Sequence, residues 1–205
     1  ASVVFLITNE NMFFSLLIAA LMTIVLGLGM PTPSAYILAA IMMGPLLVEL
    51  DIPALAAHLF LLYYAVLSAM TPPVATAAFV ASTIAQANPM TLAWSACRLS
   101  VGAFALPFVF VYSQGVILQG DTLKVLLDIA TAAIGILAIS IAIEGYFRRP
   151  ITPLWRLLVA VGGGFLLAPG LYSDLFGLLG LVVTAILHEF VLSRTGCIVS
   201  RRRGS

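Results

Sequence analysis

The chain has 205 residues, of which 62% are hydrophobic and only 8% charged, and its formal net charge is +1. These proportions exclude an ordinary soluble domain, in which about a quarter of the residues are charged, and the near-neutral balance leaves no electrostatic footprint for nucleic acid. What remains is an integral membrane protein, with the lipid bilayer as its solvent.

The first apolar run, Met12 to Met30, ends in Gly27-Leu28-Gly29, and the second, Ser34 to Leu50, ends beside Glu49 and Asp51. A membrane span needs about 20 apolar residues, so each run lies at or below that limit. The link Pro31-Thr32-Pro33 carries no charge that would seek water. The pattern predicts a re-entrant helical hairpin over 12–50 with its tip buried in protein; two full spans are the alternative. Proline removes a backbone donor and pushes the preceding residue toward extended geometry, so the two prolines separate the arms, and Pro45 should kink the second arm. Thr32 is the expected N-cap and Pro33 the first helical residue, which aims the N–H groups of Ser34, Ala35 and Tyr36 at the break and makes an anion site. The carbonyls near Gly27, Leu28 and Gly29 carry the negative end of the preceding helix dipole and suit a small cation.

Ile52 to Asn88 is apolar almost throughout, carries His58, and is interrupted by Met70-Thr71-Pro72-Pro73-Val74. An unbroken helix of that length would run on the order of 50 Å, against a hydrocarbon core of ~30 Å. One crossing made of two half-helices absorbs the excess. Lipid satisfies neither the carbonyls of the first half nor the N–H groups of the second, so polar groups must meet there. The expected carbonyls are those near Leu67, Ser68 and Ala69, with the hydroxyls of Ser68 and Thr71 as further oxygens and the N–H groups after Val74 opposite. Paired broken helices are the pointer to a secondary transporter's midplane site. The candidate substrate- and ion-binding residues are therefore Gly27, Gly29, Met30, Thr32, Pro33, Ser34, Ser68, Thr71, Pro72 and Pro73.

After the turn at Asn88-Pro89, residues 90–112 predict a further span carrying Arg98 and Pro107. A polar link follows, and then a long helix from Thr122 to Phe147, with Lys124 and Asp128, and Glu144 and Arg148, spaced i,i+4 for pairing. Leu154 to Ala168 and Leu175 to Leu192 form a helical hairpin around Pro169-Gly170 and Ser173-Asp174. The organisation expected is a transport region over 1–112 (hairpin 12–50, broken helix 52–88, span 90–112), additional transmembrane helices over 113–193, and a basic polar tail over 194–205. Basic residues gather at Arg148, Arg149, Arg156, Arg194 and Arg201 to Arg203; the positive-inside rule puts these, and the C-terminus, in the cytoplasm. By the same count Glu49 and Asp51 lie outside.

Gly-Leu-Gly-Met-Pro-Thr-Pro-Ser-Ala-Tyr at 27–36, Ala-Ala-His-Leu-Phe at 56–60, Tyr-Ala-Val-Leu-Ser at 64–68, Thr-Pro-Pro-Val-Ala at 71–75 and Ala-Asn-Pro-Met at 87–90 resemble the large permease subunit of tripartite ATP-independent periplasmic (TRAP) transporters. The resemblance is to the fused permeases that work with TAXI-type binding proteins, and it runs from Met12 to Tyr112. It implies an all-α polytopic fold in which a re-entrant hairpin and a discontinuous transmembrane helix form the second inverted repeat of an elevator-type transporter, followed by extra C-terminal helices. It also implies import of organic acids across the bacterial inner membrane with a sodium gradient, substrate delivery by a periplasmic TAXI-type protein, and no enzymatic activity or cofactor. Sodium would then make Gly27, Gly29, Ser68 and Thr71 the candidate Na+ ligands, and H+ is the alternative coupling ion. The first repeat and the small-subunit portion have no counterpart here, so the chain is expected to be the C-terminal portion of a permease, a fragment or a degraded gene product.

Two other classes stand beside the transporter. A non-transporting structural subunit or inactive fragment would have the same composition. An intramembrane enzyme would have to use Ser68, His58 and Asp128, but Ser68 and His58 are nearly opposite in helical phase, and no nucleophile elbow or metal-ligand pair is present. Cys97 and Cys197 are read as structural. His58 is expected to be a packed, hydrogen-bonded residue, and His188-Glu189 to join Arg194 in an interfacial charge pair. Trp94, Tyr112, Tyr146 and Trp155 are expected in an aromatic belt.

Overall fold

A computed structural model of the chain describes residues 11–147, 149–168, 170 and 173–184. Helix α1, Met12–Gly27, starts at Asn11, whose side chain accepts hydrogen bonds from the N–H groups of Phe13 and Phe14 at 3.1 and 3.5 Å. It ends in a tight turn that places Gly29 at φ +80°, a left-handed conformation that glycine adopts without steric cost. Met30 N–H donates back to the Gly27 carbonyl at 3.3 Å and closes the turn. Helix α2, Thr32–Glu49, then packs back on α1 and stays continuous through Pro45.

Helix α3, Ala54–Ser68, and helix α4, Thr76–Ala85, are the two halves of the expected broken helix, and Asn88 caps α5, Pro89–Leu99. The single span expected over 90–112 is instead α5 and α6, Val101–Tyr112, bent by 43°. The bend falls at Ser100, next to Val101-Gly102, where a serine and a nearby glycine weaken the helix. A short 3-10 turn, Gln114–Ile117, leads to α7, Thr122–Glu144. Thr32–Glu49 and Thr122–Glu144 are each long and apolar enough to cross a membrane, and α5 with α6 passes the same test as one bent pair.

Two compact units divide the chain, Ala1–Asp128 and Ile129–Ser205, with the division inside α7. The first is built on α1, α2 and α3. Leu16, Ala19 and Ala20 of α1, Ala39, Met43, Leu46 and Leu47 of α2, and Ala56, Ala57, Phe60, Leu61 and Tyr64 of α3 share one buried core. The alanines let the backbones approach closely, as membrane helices without a hydrophobic drive between them require. Helix α6 joins through rings: Phe108 stacks edge-on against Phe60 at 5.6 Å, and Tyr64 donates its hydroxyl to the Phe104 carbonyl at 2.6 Å. Helix α4 packs on α5 around Ala75, Ala78 and Ala93. The outward apolar residues are largely uncovered, with Ile41 69% and Val80 67% exposed, which suits lipid and not water.

Asp128 closes this unit. Its carboxylate accepts the Ser113 hydroxyl at 2.7 Å.

In the second unit α7 stops at Glu144, short of the expected Phe147, because Gly145 turns to φ +72°. Arg156 donates from Nε to the Ala142 carbonyl at 2.7 Å and from Nη2 to the Ile143 carbonyl at 2.6 Å, satisfying two carbonyls at that helix end. A two-residue antiparallel ribbon pairs Tyr146 with Pro150 and Phe147 with Arg149, a small departure from an all-helical chain. Helix α8, Pro153–Leu167, and helix α9, Ser173–Thr184, follow. Gly163 and Gly135 meet so closely that a Cβ on either would lie about 3 Å from the other's carbonyl oxygen, at 2.9 and 3.0 Å. The expected Glu144–Arg148 pair, the end of the last apolar run, His188-Glu189, Cys197 and the basic tail lie wholly or partly outside the described residues.

Candidate functional site

The two helix breaks meet. Gly27, at the end of α1, lies directly on Ser68, at the end of α3: a Cβ at Gly27 would be 2.7 Å from the Ser68 Cβ and 3.5 Å from the Ala35 Cβ. Gly27 has no room for a side chain there, and Ser68 is only 2% exposed. Two residues further, a Cβ at Gly29 would be 3.7 Å from Val74 Cγ1. The hairpin tip thus sits against the unwound segment 69–75, and residues separated by about forty positions of chain form one locus.

At the hairpin, the helix begins one residue earlier than expected. Pro31 occupies the N-cap position with no side-chain cap, and Ala35 N–H already bonds the Pro31 carbonyl at 3.1 Å. The donors left without a backbone acceptor among the described residues are those of Thr32 and Ser34, since Pro33 has none. This corrects the expected trio of Ser34, Ala35 and Tyr36: proline in the second helical position costs one donor, and the normal helical bond takes the next. Gly29, Met30, Pro31, Pro33 and Ser34 are exposed, so this chain leaves uncovered the tip that was expected to be buried.

At the broken helix much of the polar demand is met internally. Ser68 Oγ donates to the Ala65 carbonyl at 2.7 Å and Thr71 Oγ1 to the Leu67 carbonyl at 2.8 Å. Both hydroxyls therefore spend their hydrogen on the helix and keep lone pairs for other partners. Ala77 N–H donates across the gap to the Ala69 carbonyl at 2.9 Å, so an orphan donor of α4 satisfies an orphan acceptor of α3. Pro72 and Pro73, joined by a cis bond, supply no donors and keep the segment open. Ala75, fully buried, takes the left-handed conformation at φ 40° before α4 starts; a non-glycine residue is uncommon there, with a cost of about 1–2 kcal/mol. Thr76 and Ala78 N–H have no backbone acceptor among the described residues.

All ten sequence-derived residues lie at the hairpin tip or the break. The pairing of Gly27 with Ser68, the Ala69–Ala77 bridge, and the approach of Cys97 from α5 to the Met70 carbonyl at 3.3 Å were not legible, because contacts between distant segments leave no local pattern. His58 is hydrogen-bonded as expected, its Nδ1 3.0 Å from Tyr36 Oη, but the pair lies on an exposed face. Among the described residues no cluster of His, Cys, Asp or Glu could hold a metal ion, so neutral oxygens and backbone N–H groups are the chemistry the site offers. Such groups bind a small cation and an anion side by side without titrating.

The chain matches the family described as "Tripartite ATP-independent periplasmic transporter, DctM component" over residues 1–125. No curated protein and no solved structure matches it. That match takes in α1 to α6, the whole hairpin and the whole break. The family is one of transporter permeases and not of enzymes; such permeases are multi-pass proteins of the inner membrane and work with a periplasmic binding protein. The chain belongs to the DctM component family of tripartite ATP-independent periplasmic transporters.

Proposed function

We propose that this chain supplies one half of the transport site of a fused-type TRAP permease that imports organic acids with a sodium gradient and receives them from a TAXI-type binding protein. The observation that carries the reading is the meeting of the hairpin tip with the helix break, Gly27 on Ser68 and Gly29 beside Val74. In it, Gly27 and Gly29 carbonyls and the lone pairs of Ser68 and Thr71 hold the cation, while the N–H groups of Thr32, Ser34 and Thr76 face the substrate carboxylate. Sodium is favoured over a proton because residues 27–36 and 67–76 contain no carboxylate or histidine, and a neutral oxygen cage has nothing to protonate. The exposed tip is covered in the assembled permease by the first inverted repeat, whose own hairpin and broken helix complete the site.

The test is uptake of a labelled organic acid by the assembled permease in proteoliposomes with its binding protein. Replacing Pro72 and Pro73 by Ala favours a closed helix by ~3 kcal/mol per residue and draws the break's carbonyls into i,i+4 bonds. Uptake should collapse while the protein still inserts. Thr71→Val removes one oxygen at nearly constant volume and should raise the sodium concentration for half-maximal uptake. Normal transport by the double Ala variant, or unchanged sodium dependence in Thr71→Val, would make these residues simple structural kinks.

A further inference from the structure

The carbonyls of the break are not all alike. Leu67 O accepts from Met70 N–H, Ser68 O from Thr71 N–H, Ala69 O from Ala77 N–H, and Thr71 O from Ala75 N–H. Met70 O has no backbone donor among the described residues, and its partner is the thiol of Cys97, 3.3 Å away on α5. A thiol is a weak donor, so this carbonyl is the least firmly held of the set. It also has leverage: the Met70 C=O and the Thr71 N–H belong to one planar peptide unit. Whatever orients the Met70 carbonyl orients the backbone of Thr71, whose hydroxyl hydrogen is already committed to Leu67 O.

We propose that Cys97 is a positioning residue of the cation site, its thiol fixing the Met70–Thr71 peptide so that the Thr71 oxygen is preset toward the cation. The inference rests on the reading of the break as a cation site. It assigns a role in transport to a cysteine that composition and spacing mark only as structural, and it places the anchor on α5, just before the bend at Ser100.

The experiment measures the sodium concentration for half-maximal uptake, and the maximal rate, in the assembled permease carrying Cys97→Ala, Cys97→Ser or Thr71→Val. Cys97→Ala should raise the half-saturating sodium concentration by about threefold or more, the scale of one lost weak hydrogen bond, with the maximal rate little changed. Cys97→Ser keeps a donor at nearly the volume of Ala and should restore the wild-type value. A purely packing role would move Ala and Ser alike, and that result overturns the proposal. If Cys97→Ala fails to insert, capping the thiol of the folded permease with methyl methanethiosulfonate, in a background lacking other cysteines, removes the same hydrogen and is reversed by reductant; the capped protein should show the same sodium shift. An unchanged sodium dependence in the Ala variant or the capped protein, with Thr71→Val shifted, overturns the role of Cys97 alone. If Thr71→Val is also unchanged, the cation reading falls with it.

Discussion

Gly27→Ala is the most direct probe of the contact on which the site is built. The added Cβ would sit 2.7 Å from the Ser68 Cβ, whereas carbon atoms rest at about 3.5–4.0 Å. The Ser68 Oγ lies closer still, and even if that hydroxyl turns away the Cβ is fixed to a helix, so the ends of α1 and α3 must separate by roughly 1 Å. Overpacking of this kind costs about 1–3 kcal/mol, read as a lowered midpoint of thermal unfolding of the purified protein in detergent. The geometry also dictates which second change repairs it. Ser68→Ala removes the nearer Oγ but leaves the Cβ and should recover part of the loss, whereas Ser68→Gly removes both and should recover most of it, giving a coupling of about 1 kcal/mol or more in the double-mutant cycle. The reasoning is refuted if Gly27→Ala unfolds like the parent, or if neither Ser68→Ala nor Ser68→Gly recovers any of the loss. Either result would mean that the tip and the break are not in contact.

Two further predictions concern the second unit. Gly163→Ala puts a Cβ 2.9 Å from the Gly135 carbonyl oxygen, and since backbone cannot step aside it should cost about 1–3 kcal/mol, whereas Gly164→Ala, which meets nothing within 4 Å, should be neutral or slightly stabilising; thermal unfolding of the pair distinguishes a packed glycine from a flexible one. Arg156→Gln removes the charge and most of the donors that hold the Ala142 and Ile143 carbonyls, and should destabilise the end of α7 by about 1–3 kcal/mol, seen as faster hydrogen exchange at Ile143, Glu144 and Gly145.

The membrane class, the hairpin and the broken helix were all readable in a single line of residues, because clustered prolines and glycines act through the backbone, whereas the lone Pro45 and Pro107 are carried inside continuous helices. Helix α1 ends just before Gly29 and Pro31, and α3 ends just before Pro72-Pro73. The errors were also local in cause: at Thr32 the choice between N-cap and first helical residue is a matter of one position, and at Ser100 a bend of 43° came from a serine with a glycine close by that the hydropathy of 90–112 conceals. The resemblance at 27–36 and 71–75 reached the right family for the same reason, since those strings are dominated by backbone-directing residues.

Composition and breakers thus determined where the chain lies and where its helices fail, since both are properties of the residues themselves. Only the tertiary structure decided what each failure faces. Gly27 reads as a helix terminator in the sequence, and it is the packing of α1 on α3 that makes it the seat of Ser68; Cys97 reads as an inert thiol, and it is the return of α5 to the break that gives it the Met70 carbonyl. A backbone preference is a term in one residue's energy, whereas a contact between segments forty residues apart exists only after the entropy of closing the loop between them has been overcome by packing elsewhere, so its partners leave no trace in the order of the letters.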